Sequence, residues 1–234
     1  KKNAPVNRRA SVETLGANNL ICADTTATLA ENRMTVRPFD SQGEPSTLYI
    51  DPMRGEDSQE ELDPLSRQAL EVGVLCNNAE LTGEHSGLGD PLEVALLEAG
   101  ASFGMERDSL RAEYPEVEEV AFDTKTKKMA TIHRRDGALY YAVKGATEEI
   151  LAVSDRIASA SGDQSMDEDL KEEWERRNIE MAATGLRVIA LADKRTEERE
   201  EAYRGLRFLG LIGMIDPPRQ EIKSAHHTWR QAGI

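Results

Sequence analysis

Residues 129–145 read MATIHRRDGALYYAVKG. Two runs suited to strands, Met129–Arg135 and Ala138–Val143, flank Asp136-Gly137. Asp-Gly between such runs signals a two-residue β-hairpin, because the favoured turn needs positive φ at both central positions. With those two residues as the loop, Arg135 pairs with Ala138 and Met129 with Lys144. Side chains alternate along a strand, so Lys127 and Lys144 are expected on one face of the pair. Two ammonium groups on one face attract phosphate as point charges. A solvated lysine edge that blocks strand aggregation explains the same residues. Gly145 carries no Cβ and would let a ligand approach the backbone closely.

Outward from the hairpin the pattern turns helical. Asp63-Pro64 predicts a helix start, with Asp as N-cap and Pro at the first helical position. Leu65, Ala69, Val72, Gly73 and Cys76 then fall on one face. Asp90-Pro91-Leu92-Glu93 predicts a second start, continued by Ala95, Leu96 and Ala99, with Gly100 as its stop. Ser165-Met-Asp-Glu168 reads as a capping box opening a charged helix through Leu170, Trp174 and Met181 to Gly185. Leu186–Ala192 and Phe208–Ile215 read as buried strands. Residues 37–62 read as a polar connector or irregular edge and 154–165 as a small polar loop. The acidic run Glu197–Glu201 reads as a solvated helix face, and His226-His227 as surface residues on a helix.

The chain has 234 residues, 29 basic against 43 acidic, for a formal net charge of −14. That balance argues against nucleic acid or an anionic membrane surface as the main partner. It leaves room for an anion held by a few placed lysines. Cys22 and Cys76 sit in apolar contexts and are expected to be free, buried thiols. No apolar stretch approaches the roughly 18–20 residues that span a bilayer, so this chain is expected not to be membrane-inserted.

Near the start, Leu20-Ile21-Cys22-Ala23 precedes Asp24-Thr25-Thr26-Ala27-Thr28-Leu29. An apolar run followed by Asp and a tight polar turn places a carboxylate at the carboxyl end of a strand, where open α/β sheets carry their chemistry. The middle mixes hairpin and helices, whereas each end carries an apolar strand with a polar motif at its exit. An α+β domain inserted into a broken α/β domain fits this order.

Five stretches, in order, resemble P-type ATPases of the calcium and related cation-pump kind. They are Asp24–Leu29 with Glu31–Val36, Gly89–Glu93 with Ala95–Leu97, Phe122–Met129, Lys144–Glu148, and Asp216–Arg219. The resemblance implies a mostly antiparallel nucleotide-binding domain at 37–205. It implies an incomplete haloacid-dehalogenase-like phosphorylation domain at 1–36, resumed at 206–234. It implies ATP and Mg²⁺ as ligands. Asp24 takes the place of the phosphorylated nucleophile, Thr26 offers a main-chain carbonyl to the metal beside the Asp24 carboxylate, and Thr28 is a phosphate ligand. Phe122 takes the place of an aromatic stacked on adenine and Glu93 that of a carboxylate accepting from its amino group. Lys127, Lys144, Gly145 and Arg187 take the places of further nucleotide contacts, and Asp216 that of an aspartate near the phosphorylation site.

The family's usual loop is DKTGTLT, and here Thr25, Ala27 and Ala30 replace its lysine, glycine and last threonine. The family's later TGD and GDGxND motifs are absent. The expectation is therefore a cytoplasmic piece of a membrane pump that binds ATP and does not turn over, with the rest of its own pump as partner. A haloacid-dehalogenase-type phosphatase would share the Asp-x-Thr-x-Thr pattern but lacks its second aspartate, Thr26 standing there. A non-catalytic nucleotide-sensing or interaction module would also suit the altered loop.

Overall fold

The computed structural model describes residues 34–37, 62–83, 86–216 and 219–231. The chain divides into two compact units, Met34–Ile215, and Lys1–Arg33 with Asp216–Ile234. The Asp24 loop, with Thr26 and Thr28, and most of the 37–62 connector lie outside the described residues.

In the unit Met34–Ile215 the sheet is formed by β1 (Thr35–Arg37), β4 (Glu116–Asp123), β5 (Lys128–Arg135), β6 (Ala138–Gly145), β7 (Ser154–Ile157), β8 (Gln164–Ser165), β9 (Arg187–Thr196) and β10 (Leu206–Ile215). Its order is β4-β5-β6-β9-β10-β7-β8, and β1 also pairs with β10. Every pairing is antiparallel except β10 with β7. A small separate hairpin joins β2 (Glu80–Gly83) and β3 (Ser86–Leu88). The fold is a mixed α/β domain with a mainly antiparallel sheet, as the hairpin motif leads one to expect. Arg135 pairs with Ala138 and Met129 with Lys144 in the predicted register. Asp136 and Gly137 have φ 48 and φ 78, the values such a turn demands.

Helices cover both faces. On one, α1 (Pro64–Leu75) and α2 (Pro91–Ser102) pack on Met129, Tyr140, Leu191, Leu209 and Ile212, with α3 (Arg107–Glu113) beside them. On the other, α4 (Thr147–Leu151) and α5 (Glu168–Ala183) pack on Ile132, Tyr141, Val143, Phe208 and Leu211. Central strands buried on both faces need apolar residues at successive positions, as in β6 and β10, whereas β5 buries the hydrogen-bonded pair Thr131 and His133. A bulge between Phe208 and Gly210 shifts the alternation within β10. Phe208 and Leu211 consequently face α5, and Leu209 and Ile212 face α1.

Several local expectations are corrected. Asp63 does cap α1, accepting from Leu65 N and Ser66 N at 3.0 Å each. Gly100 is no stop: α2 continues to Ser102, and Gly104, at φ 72, follows its end. A Cβ on Gly100 would meet Val74 Cγ2 at 2.4 Å and Met105 O at 3.0 Å, so that glycine serves helix packing. The α5 cap is Asp167, accepting from Leu170 N at 2.9 Å, while Ser165 belongs to β8. Residues 154–165 contain β7 and β8 rather than a plain loop. Glu197–Glu201 is irregular and not helical. There the buried Lys194 ammonium donates to Glu201 O and Arg204 O, and Glu200 N donates to Tyr141 Oη at 2.9 Å. These distant partners outweigh the local helical pattern. β1 and β10 are paired into the sheet of the unit Met34–Ile215. In the other unit the described element is α6 (Gln220–Gln231), on which His226 and His227 are exposed.

Two measurements test this packing. Gly100→Ala should lower unfolding free energy by about 1–3 kcal/mol through overpacking, read by urea denaturation. His133 is fully buried, with Nε2 2.8 Å from Thr131 Oγ1 and Nδ1 3.0 Å from Tyr114 O. Burial depresses its pKa below the ordinary 6.5. Its contribution to stability is therefore complete above about pH 6.5 and is lost as pH falls through the lower folded value. Denaturation series between about pH 7.5 and about pH 5 should show a shallower loss for His133→Gln than for the native chain.

Candidate functional site

At the end of the sheet that carries Lys144 and Arg187, a cavity of about 480 Å³ opens on the α1/α2 side. Glu93, Phe122, Lys127, Lys144, Gly145 and Arg187 all line it. They come from the start of α2, the end of β4, the β4–β5 turn, the end of β6 and the start of β9. Antiparallel pairing explains the convergence: Lys144 lies opposite Leu191 on one side and Met129 on the other, so three strand ends meet here. Met129 and Ile189 supply apolar wall, and Asn78, Asp90 and Leu92 complete the α2 side. A larger cavity, about 610 Å³, lies at the opposite end of the sheet and contains none of the predicted residues.

Phe122 is 56% exposed, although an aromatic after Val120-Ala121 would ordinarily be core. A large apolar ring left at a cavity mouth is available to a planar ligand. Lys144 is buried, and its ammonium donates to Glu93 Oε1. Glu93 Oε2 accepts from Asn78 N at 3.2 Å, so this carboxylate bridges the cavity wall instead of closing a capping box with Asp90. Asp90 alone caps α2, accepting from Leu92 N at 2.8 Å.

Lys127 reaches the same cavity by a different route from strand alternation. Its φ is 49, and its ammonium donates to Glu148 Oε1 at 2.9 Å. That hydrogen bond raises the Lys127 pKa and lowers that of Glu148. The two lysines therefore face one cavity, each already holding a carboxylate. Gly145 lines the cavity and also serves local packing. A Cβ there would meet the Lys127 carbonyl oxygen at 2.5 Å, and Ala146 N donates to that oxygen at 3.0 Å. The glycine thus lets the Lys127 turn close onto β6. Arg187 is exposed at the first residue of β9, just after Gly185 at φ 86.

Sequence reasoning passed over Asn77 and Asn78. Asn77 Nδ2 donates to Glu93 O at 2.9 Å, and its Oδ1 accepts from Ala79 N at 2.9 Å, tying the exit of α1 to the start of α2. An Asn pair directly after an apolar helical run was the available signal. Asp216 belongs to the other unit, and Asp24, Thr26 and Thr28 lie outside the described residues. Among the described residues no group of three or more His, Cys, Asp or Glu side chains could hold a metal, and no helix is long and apolar enough to cross a membrane.

A family model described as "P-type ATPase, cytoplasmic domain N" matches residues 66–221. The chain belongs to this family. It is 36% identical over 260 residues to "Cation-transporting ATPase pma1" of Synechocystis sp., covering 100% of this chain and 28% of that relative. It is 34% identical over 238 residues to "Calcium-transporting ATPase 1" of Bacillus cereus, covering 100% and 26%. It is 37% identical over 253 residues to "Calcium-transporting ATPase 1" of Saccharomyces cerevisiae, again covering 100% and 26%. The chain thus spans about a quarter of the length of these relatives.

Cys76 lies behind this wall, wholly buried, with Sγ 3.5 Å from Met129 O. Burial pushes its thiol pKa up to about 11. In a Cys22→Ser variant, Cys76 should react with an aromatic disulfide reagent at about pH 8 only as fast as the protein opens, since the thiolate is the nucleophile. Denaturant should release the full reactivity, followed by absorbance.

Proposed function

We propose that the cavity is the ATP site of a P-type cation-transporting ATPase. The observation carrying this reading is the gathering of Glu93, Phe122, Lys127, Lys144, Gly145 and Arg187, from separate segments, around one cavity of about 480 Å³. That volume lies in the range of about 300–1,000 Å³ usual for small-molecule sites. Phe122 stacks on the adenine ring, and the Glu93 carboxylate, held by Lys144 and Asn78 N, accepts from its amino group. Lys127 and Arg187, the more exposed cations, meet the phosphates. Lys144 holds Glu93 in place and adds positive potential behind it.

In the whole pump, Asp24 attacks the γ-phosphorus in line and the β–γ bridging oxygen leaves with the ADP, giving an aspartyl-phosphate. The Asp24 carboxylate and the Thr26 main-chain carbonyl would hold Mg²⁺, which would supply neutralisation of the phosphate charge. Thr28 contacts the phosphate and Asp216 lies near the site. The aspartyl-phosphate then drives cation transport by the membrane part, to which this chain is a cytoplasmic partner. The 234-residue chain binds nucleotide without turnover, because Thr25 and Ala27 alter the phosphorylation loop.

Calorimetric titration with ATP tests the site. Phe122→Ala should weaken binding about ten-fold, since base–aromatic stacking is worth about 1–3 kcal/mol. Phe122 is exposed, so the variant keeps its fold. Absence of binding at millimolar ATP, or equal affinity in the variant, would reject the reading.

A further inference from the structure

We propose that the second cavity, at the far end of the sheet, binds a small phosphorylated molecule. This does not rest on the ATP reading, because the two cavities share no residue. The cavity measures about 610 Å³ and lies between the first turns of α1 and the ends of β5, β6, β9 and β10. Its charged residues form two layers that differ in how well they are paired.

In the deep layer the guanidinium groups are closely paired. Arg207 Nε and Nη2 donate to Asp193 at 2.9 and 2.8 Å, and Arg135 Nη1 pairs with Glu71 at 2.5 Å. The Arg135 guanidinium also lies 4.3 Å from the Tyr114 ring and 4.9 Å from the Tyr140 ring. These guanidinium groups are committed to wall structure.

The rim is different. Arg67 is exposed, and its side chain has no hydrogen-bond or ion-pair partner among the described residues. Among the described residues the Arg156 guanidinium makes only long contacts, 3.4 Å to Asp155, 3.5 Å to Asp163 and 3.4 Å to Gly205 O. Arg195 lies 3.6 Å from the Asp136 carboxylate and 3.3 Å from its carbonyl. Charge-assisted hydrogen bonds settle at about 2.7–2.9 Å, so these rim contacts are loose. The facing carboxylates Asp136 and Asp155 are themselves 69% and 67% exposed. Asp163 is shared, since it also accepts from Arg207 at 3.1 Å. Three guanidinium forks with unspent N–H donors thus surround an open volume in a chain of net charge −14. A phosphate group offers several acceptor oxygens to such forks and replaces loose contacts by short ones, as guanidinium geometry favours. Arg67, Arg156 and Arg195 are the ligands the geometry assigns.

The test uses the 234-residue chain, ¹⁵N-labelled, titrated with pyrophosphate while arginine Nε–Hε signals are followed. Saturable shifts are expected at Arg67, Arg156 and Arg195. The double variant R67Q/R195Q should weaken that binding at least ten-fold and leave ATP affinity unchanged, while K127A/R187A should leave the pyrophosphate shifts at the arginine rim intact. Both arginines are exposed, and an unchanged amide spectrum verifies the fold of the variant. Equal pyrophosphate affinity in R67Q/R195Q and the native chain would overturn the proposal. So would shifts confined to the Lys127 cavity, or a non-saturating response identical in all variants, and either would leave the ATP reading standing. Titration with inorganic phosphate distinguishes recognition of a single phosphate from recognition of a larger phosphorylated molecule.

Discussion

The buried Asp193 carboxylate is the interaction on which the sheet depends. At 2% exposure it would carry a severe desolvation cost alone. It is met instead by both donors of the Arg207 fork, by Tyr140 Oη at 2.9 Å and by Gln68 Nε2 at 2.8 Å. Those partners stand on β10, β6 and α1, so one residue of β9 ties three other elements to itself. Asp193 and Arg207 are also direct cross-strand partners. Their pairing fixes the β9–β10 register, and a slip of one residue would send each strand's apolar residues to the wrong helical layer. Burial and the adjacent carboxylate raise the Tyr140 pKa well above its ordinary value, so Tyr140 stays a hydroxyl donor to Asp193. Such a network specifies one arrangement because each missing partner leaves a buried polar group uncompensated.

The same face of the sheet treats its two ends differently. At the Asp193 end the deep charges are closed off within the protein. At the other end, Lys144 and Glu93 form a comparable pair, but their wall also carries the exposed Phe122 ring and the Arg187 side chain. Placement there relies on backbone details: the left-handed Lys127, admitted by the missing Cβ of Gly145, and the Asn77 tie between α1 and α2. The candidate site is thus built from turns and strand ends, held by a sheet whose middle is rigidly specified.

Much of this was legible in the sequence wherever the signal was local. Asp136-Gly137 fixed the hairpin register, and Asp63-Pro64 and Asp90-Pro91 marked helix starts, because caps and turns act over a few residues. The misreadings arose where a distant partner decided. Gly100 looked like a stop but accommodates Val74 on another helix. Glu197–Glu201 looked helical but wraps the Lys194 ammonium. The strand expected over Leu186–Ala192 runs over Arg187–Thr196, because Asp193 and Lys194, which break its apolar pattern, are both buried in networks that span the sheet. For the candidate site, the family resemblance picked out residues that do share a cavity. That Lys144 already holds Glu93, 51 positions away, was beyond a reading of either segment alone.

The pairing of β1 with β10 has a topological consequence. Thr35 lies opposite Ile215, and Thr35 Oγ1 donates to Ile215 O at 3.2 Å across a sequence separation of 180. Paired antiparallel residues have Cα atoms about 4.5–5.5 Å apart, so the unit's entry and exit are no wider apart than the ends of a tight turn. To the chain on either side, some 180 residues of fold occupy the footprint of a short loop. Such a unit can be spliced into a surface turn of a host without prying the host apart, and a short linker across its own ends would close it into a circle with little entropic penalty. Modularity of this kind follows from two strands lying side by side, whatever chemistry the unit performs.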